Sequence, residues 1–268
     1  MSSDLVTLQC GSVPLLVSFP HVGTELPPEV AACLVDDALA VADTDWHLES
    51  LYAFVRELGA STLVPRVSRY CIDLNRPPEN TPMYAGANNT ELCPTRAFSG
   101  EPIYRKGKAP DAAEVERRLQ HYWRPYHAAL ASELARLKAV HGYALLFDAH
   151  SIKSALPWLF DGRLPDLNLG TASGEGCGAP LREALARVLQ GQSRYTHAVD
   201  GRFKGGYITR HYGRPREGVQ AVQLEMAWRC YMLEVPPYAI DEARASGVRP
   251  LLAALIEAML AHGAPAAP

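Results

Sequence analysis

The stretch Ala144 to Ser151, ALLFDAHS, decides the fold. Four apolar residues end abruptly in Asp148, Ala149, His150 and Ser151. A short continuous apolar run bounded by polar residues reads as a strand buried on both faces. Open α/β sheets bind their ligands outside the carboxyl ends of such strands, so the polar end of this run falls where a site belongs. A histidine beside a carboxylate able to orient its ring suits a metal site. The other reading is a packed histidine with its nitrogens satisfied by neighbours, and the octapeptide taken alone favours it.

Working outward, the residues before this strand read as a helix. Asp111 with Glu114 resembles a capping box with Asp in place of Ser/Thr. Leu119, Tyr122, Trp123, Tyr126, Leu130, Leu134 and Leu137 fall on one face, Pro125 should kink it, and His141-Gly142 ends it. His121 and His127 read as surface or packing residues. Helix followed by buried strand is the unit of three-layer α/β proteins.

Two further strands carry polar groups at their ends. Val13 to Phe19, VPLLVSF, runs into Pro20-His21-Val22-Gly23, which puts His21 at a strand end. Glu25 follows in a Pro-rich loop and reads as a solvated acid, with a second metal ligand as the alternative. Val219 to Ala227, VQAVQLEMA, holds Glu225 inside an apolar run. A carboxylate is rarely buried unpaired, because desolvating it is costly. Either an arginine partners Glu225 or its raised proton affinity serves acid–base chemistry; the second reading is preferred.

Between these strands, Asp43-Thr44-Asp45 precedes Leu48, Leu51, Tyr52, Val55 and Leu58 at helical spacing, with Gly59 as the stop. Thr44 or Asp45 is the expected N-cap, and Asp45 at that position can also face a cation held by the histidines. His47 reads as a first-turn residue. Ser61 to Ser68 and Tyr70 to Leu74 read as extended, and Asn75-Arg76-Pro77-Pro78 stops the chain. Arg69 and Arg76 offer the planar fork that suits a carboxylate, unless they pair with Asp73.

Long loops are expected near 77–110, 152–180 and 200–217. Tyr84, Phe98 and Tyr104 make the first an ordered covering loop. A modest helix is expected from Leu181 to Leu189, and a C-terminal helix from about Tyr238 to Ala261. Gly201 to Gly213, GRFKGGYITRHYG, is glycine-rich and basic but lacks the spacing of a nucleotide-binding loop. It fits an acidic small-molecule substrate.

Size and composition agree with one α/β domain spanning 1–268. The chain has 268 residues, 48% hydrophobic and 21% charged, with a net charge of −3. With no basic run, a nucleic-acid partner is not expected. No segment approaches the roughly 18 consecutive apolar residues of a membrane span. The N-terminus shows no signal-peptide pattern, and six scattered cysteines without a C-x-x-C pair point to a reducing, cytoplasmic setting. Nothing in the sequence speaks to oligomeric state.

Two histidines and one carboxylate form a ligand set for a hydrolytic zinc, leaving a position for water. A separate glutamate as base and an arginine facing the oxyanion complete a metal-assisted amide hydrolysis. No H-E-x-x-H motif is present.

The chain resembles the N-formylglutamate amidohydrolase family, related to zinc carboxypeptidases and aspartoacylases. The resemblance covers most of the chain, through SFPHVGTELP, DTDWHLESLY, SRYCIDLNRPP, LCPTRAFSGEPIY, YWRPYH, DAHSI, LPDLNLGT, GRFKGGYITRHYG and AVQLEMA. It implies a three-layer α/β/α fold with a central mixed, mostly parallel sheet, and Zn2+ or another divalent metal. It assigns His21, Asp45 and His150 to the metal, Glu225 as general base, and Asn75-Arg76 to a substrate carboxylate. The relatives' compact H-x-x-E is absent: Thr24 stands three residues after His21, with Glu25 one place later. The carboxylate ligand therefore lies among Asp45, Asp43 and Glu25, and Asp45 is chosen.

The full candidate set is Glu225 and Arg69 for catalysis, His21, Asp45 and His150 for metal, and Asn75, Arg76, Ser151, Arg202, Lys204, Tyr207, Thr209 and Arg210 for substrate. The implied reaction is cleavage of N-formyl-L-glutamate to formate and L-glutamate. Deacylation of another N-acyl amino acid, or metal-free binding of a dicarboxylate, are the alternatives.

Overall fold

The computed structural model describes residues 5–83 and 88–264. Among them, seven strands form one sheet: β1 (Val6–Gln9), β2 (Leu15–Ser18), β3 (Ser61–Pro65), β4 (Ala144–Ile152), β5 (Leu167–Gly170), β6 (His197–Val199) and β7 (Val219–Ala227). The order is β1-β3-β2-β4-β7-β5-β6. The four central strands β3, β2, β4 and β7 run parallel. β1 joins β3 antiparallel, β5 joins β7 antiparallel, and β6 is parallel to β5. The expected mixed, mostly parallel sheet is present.

The helices are α1 (Pro28–Ala31), α2 (Leu48–Leu51), α3 (Phe54–Glu57), α4 (Ala112–Arg118), α5 (Arg124–His141), α6 (Ala179–Gln190), α7 (Tyr207–Tyr212) and α8 (Glu242–His262). They cover both faces of the sheet. Side chains alternate across a strand, so Leu145 and Phe147 of β4 join Leu15, Val17, Val222 and Leu224 in one core with α6 and α8. Ala144 and Leu146 join Leu16, Leu63 and Ala221 in the other, against Leu130, Leu134 and Leu137 of α5. The same alternation sends Asp148 and His150 to the α5 face and Ser151 to the opposite one. Strand β4 is buried along its whole length between β2 and β7.

The helix before β4 begins at its Asp111 cap, whose carboxylate accepts from the Glu114 N–H at 2.9 Å. It passes through a π-helical turn, Leu119–Trp123, into α5, with Pro125 in the first turn. A proline there needs no N–H partner, so the expected kink takes the form of a widened turn.

Several sequence expectations give way. The helix after Asp43 is shorter and split, and neither Thr44 nor Asp45 caps it. His47 sits at the N-cap of α2 in a left-handed conformation, with no side-chain cap, while the Thr44 hydroxyl donates to the Val41 carbonyl. Of Ser61 to Leu74, only β3 is a strand; the Cys71 N–H donates to the Ser68 carbonyl in a turn. The loop expected at 152–180 contains β5, and that at 200–217 contains α7. Phe98 and Tyr104 are buried, as an ordered covering loop requires; Tyr84 lies outside the described residues. Among the described residues, no helix is long and apolar enough to cross a membrane.

Candidate metal centre

Three separate segments meet at the carboxyl ends of the central strands. After β2 the chain turns at Pro20-His21, and Gly23 lets it pass the 66–67 backbone, where a Cβ would stand 2.3 Å from the Val67 carbonyl oxygen. The Asp45 N–H donates to the His21 carbonyl at 3.0 Å, which ties the second segment to the first. His150 projects from the end of β4.

Their side chains converge. One ligand atom each from His21, Asp45 and His150 lies within 4.8 Å of the others, and all three residues are buried. His150 Nδ1 is 3.1 Å from His21 Nδ1 and 3.2 Å from Asp45 Oδ2. Both histidines are gripped from behind. His21 Nε2 donates to Asp73 Oδ1 at 2.7 Å, and His150 Nε2 donates to Asp148 Oδ2 at 2.8 Å. A carboxylate only accepts, so each Nε2 carries the proton and each Nδ1 keeps its lone pair for the centre.

Two facing lone pairs beside a carboxylate repel one another unless a cation lies between them. Among the described residues, Asp45 Oδ1 is buried without a hydrogen-bond partner, which is costly for a carboxylate oxygen. This donor set fits a divalent metal. Burial and the Arg69 guanidinium lower the His21 pKa, favouring the neutral ring a ligand needs. Burial works the same way on His150, but Asp148 and Asp45 outweigh it and raise that pKa well above the usual value. Burial alone would raise Asp73, yet the His21 ring and the Arg76 and Arg69 guanidiniums hold its carboxyl well below the usual range.

Glu225 stands beside the centre on β7, paired with His150 across the ladder. Burial pushes its carboxyl up to about 8, with His150 pulling it down and Asp45 adding to the rise. Arg69 is held by Asp73 at 2.7 Å, lies 4.3 Å over the Phe98 ring, and places Nη1 4.0 Å from Asp45 Oδ1. Of the other carboxylates weighed from sequence, Glu25 is exposed and paired with Arg66. Asp43 accepts from the Tyr70 hydroxyl and the Phe98 N–H.

A cavity opens on this cluster. His21, His150, Glu225, Arg69, Asn75, Arg76 and Arg202 all line it. Asp45 lies behind them, 1% exposed. Ser151, Lys204, Tyr207, Thr209 and Arg210, expected at the substrate, do not line it. Ser151 follows the strand alternation to the far face and meets the Tyr231 hydroxyl at 2.7 Å. Lys204 is exposed. α7 turns Tyr207 onto His211, buries Thr209 fully and ties Arg210 Nε to the Gly205 carbonyl.

Asp73 and Gln223 were not singled out for the site. Both carried a readable signal: Asp73 is a carboxylate inside the apolar run YCIDL, and Gln223 shares a strand face with Glu225 two residues on.

The family model for N-formylglutamate amidohydrolase matches residues 13–232, a span that contains every residue of this centre. The chain belongs to the N-formylglutamate amidohydrolase family. It is 52% identical over 260 residues to N-formylglutamate deformylase of Pseudomonas aeruginosa, covering 97% of each chain. It is 49% identical over 254 residues to the enzyme of that name from Pseudomonas putida, covering 95% of each. Among solved structures, it superposes on N-formylglutamate amidohydrolase from Ralstonia eutropha JMP134 with a TM-score of 0.78 and 28% identity, over 95% of this chain and 97% of that one. A gene product from Agrobacterium tumefaciens shares the fold, with a TM-score of 0.73 at 18% identity, over 97% and 96% of the two chains.

Proposed function

We propose that this chain is a single catalytic domain that hydrolyses N-formyl-L-glutamate to formate and L-glutamate, with a zinc ion held by His21, Asp45 and His150. The observation that carries the reading is the convergence of those three ligands, with His21, His150 and Glu225 lining one cavity and Asp45 behind them. The two Pseudomonas relatives, both named for this deformylation, support the substrate.

A zinc ion at this centre supplies Lewis acidity for the formyl oxygen and makes water more acidic. Glu225, with a proton affinity near neutrality, takes a proton from the attacking water as the new C–O bond forms at the formyl carbon. It then returns that proton to the amide nitrogen as the C–N bond breaks. Arg69 faces the negative charge that grows on the formyl oxygen. Arg76, just ahead of the 77–110 loop, and Arg202, in the 200–217 loop, receive the two carboxylates of the substrate. A metal-free binder has no use for a raised-pKa glutamate against two oriented histidines.

Release of the free amino acid from N-formyl-L-glutamate, N-formyl-L-aspartate and N-acetyl-L-glutamate tests the assignment. The expected result is a kcat/KM for N-formyl-L-glutamate at least about tenfold above the others, the scale of one or two altered pocket contacts. A preference for the acetyl substrate would move the chain to a different N-acyl amino acid.

A further inference from the structure

Asn75 follows the segment that carries Arg69 and Asp73, and as a strand-end polar residue it looked like a substrate contact. Its amide is instead consumed by the protein. Oδ1 accepts from the Ile208 N–H at 2.8 Å, in the first turn of α7. The N-cap of α7 is Gly206, which has no side chain to cap with, so Asn75 does this from a distance of more than a hundred residues. The Asn75 carbonyl also accepts from the Tyr207 N–H at 3.3 Å.

On its other side, Asn75 Nδ2 donates to Asp148 Oδ2 at 3.2 Å and lies 3.0 Å from His150 Nε2. Asp148 is the carboxylate that orients His150. The same Nδ2 lies 3.4 Å from Gln223 Oε1, which accepts from the Gly206 N–H at 2.7 Å, and Gln223 Nε2 points to Glu225 Oε2 at 3.5 Å. The fit admits no extra atom, since a Cβ on Gly206 would stand 2.3 Å from Asn75 Nδ2. The loop docked in this way brings Arg202 and Phe203 to the cavity wall.

We propose that Asn75 is a positioning residue, an amide hub that locks the 200–206 loop to the Asp148–His150 pair. Closure of the substrate loop and orientation of a metal ligand then become one event. The hub's second arm, through Gln223, reaches the Glu225 carboxylate. The proposal rests on the metal-centre reading above, and it replaces direct contact between Asn75 and a substrate carboxylate.

The test is zinc titration of the metal-depleted full chain, with kcat and KM measured alongside. Asn75→Asp keeps an acceptor for the Ile208 N–H but sets a second carboxylate against Asp148. Gly206→Ala forces the loop away from Asn75 without touching any ligand. Both variants should bind zinc about tenfold or more weakly, the usual effect of losing a group that orients a ligand, and both should lose kcat. Unchanged zinc affinity in both, with KM alone raised, would overturn the hub and restore Asn75 as a substrate contact. If Asn75→Asp fails to fold, Gly206→Ala decides the matter by the same readout. Failure of the unaltered chain to bind zinc would instead count against the metal reading itself.

Discussion

His150 and Glu225 occupy paired positions on the parallel strands β4 and β7. Their separation is therefore set by the hydrogen-bonded register of the sheet centre, and no loop has to close to bring the proposed metal ligand and the proposed base together. Rigid elements hold a site more accurately than loops do.

That relationship separates base from ligand. Glu225→Gln keeps the shape of the side chain and removes its proton affinity. It should lower kcat by about 10²- to 10⁴-fold, the range for a general base, while metal content measured by elemental analysis stays at the level of the unaltered chain. Near-normal kcat would remove Glu225 from the role.

The buried carboxylate also leaves a mark on stability. Burial pushes its pKa up to about 8 in the metal-free protein, well above the ordinary glutamate range. Between the two the native state holds a proton that the unfolded chain releases, so this contribution to stability falls as pH rises through that window. In metal-depleted samples, Glu225→Gln should melt above the unaltered chain at pH 8, with the gap closing toward pH 5. Thermal melts at four or five pH values check this, and a gap independent of pH would show that Glu225 is ionised throughout.

The carboxylates behind the histidines are open to a separate test. Asp73→Asn and Asp148→Asn each replace an acceptor that fixes a ring tautomer. Each should weaken zinc binding by about 10- to 100-fold, read by competition with a chromophoric chelator. Asp73→Asn should cost more in kcat as well, because Arg69 loses its 2.7 Å partner.

The core behind the site should fail differently. Phe147 is fully buried in β4 and packs on Tyr52 with ring centroids 5.9 Å apart. Phe147→Ala should cost about 3–5 kcal/mol of stability, measured by denaturant unfolding, with metal affinity retained in the fraction that stays folded.

The central strands were legible in the sequence and the short strands beyond β7 were not. β4 and β7 are nine residues each, long enough for an apolar run to stand out, and they carry His150 and Glu225. β5 and β6 have four and three residues, too few for a period; β5 falls inside the loop expected at 152–180, and β6 lies in a stretch given no element. Local pattern offers Asp45 two compatible roles, helix cap and metal ligand, because an acid before an apolar pattern is usually a cap. The left-handed turn at His47 starts the helix later and leaves the carboxylate free for the centre. Asn75 and its contact with Gly206 depend on groups more than a hundred residues apart, a relationship that no local pattern encodes. Asp73 was visible as a buried acid, but whether it would grip an arginine or a histidine depended on the fold; it grips both.

The central claim is that His21, Asp45 and His150 hold the metal on which hydrolysis depends. The most direct measurement is formate release from N-formyl-L-glutamate by chelator-treated protein before and after zinc is restored, with His150→Ala run in parallel and metal quantified in each sample. The expected result is loss of activity on chelation, recovery at about one zinc per chain, and neither metal nor activity in His150→Ala. Full formate release by protein carrying no more than trace metal would contradict it.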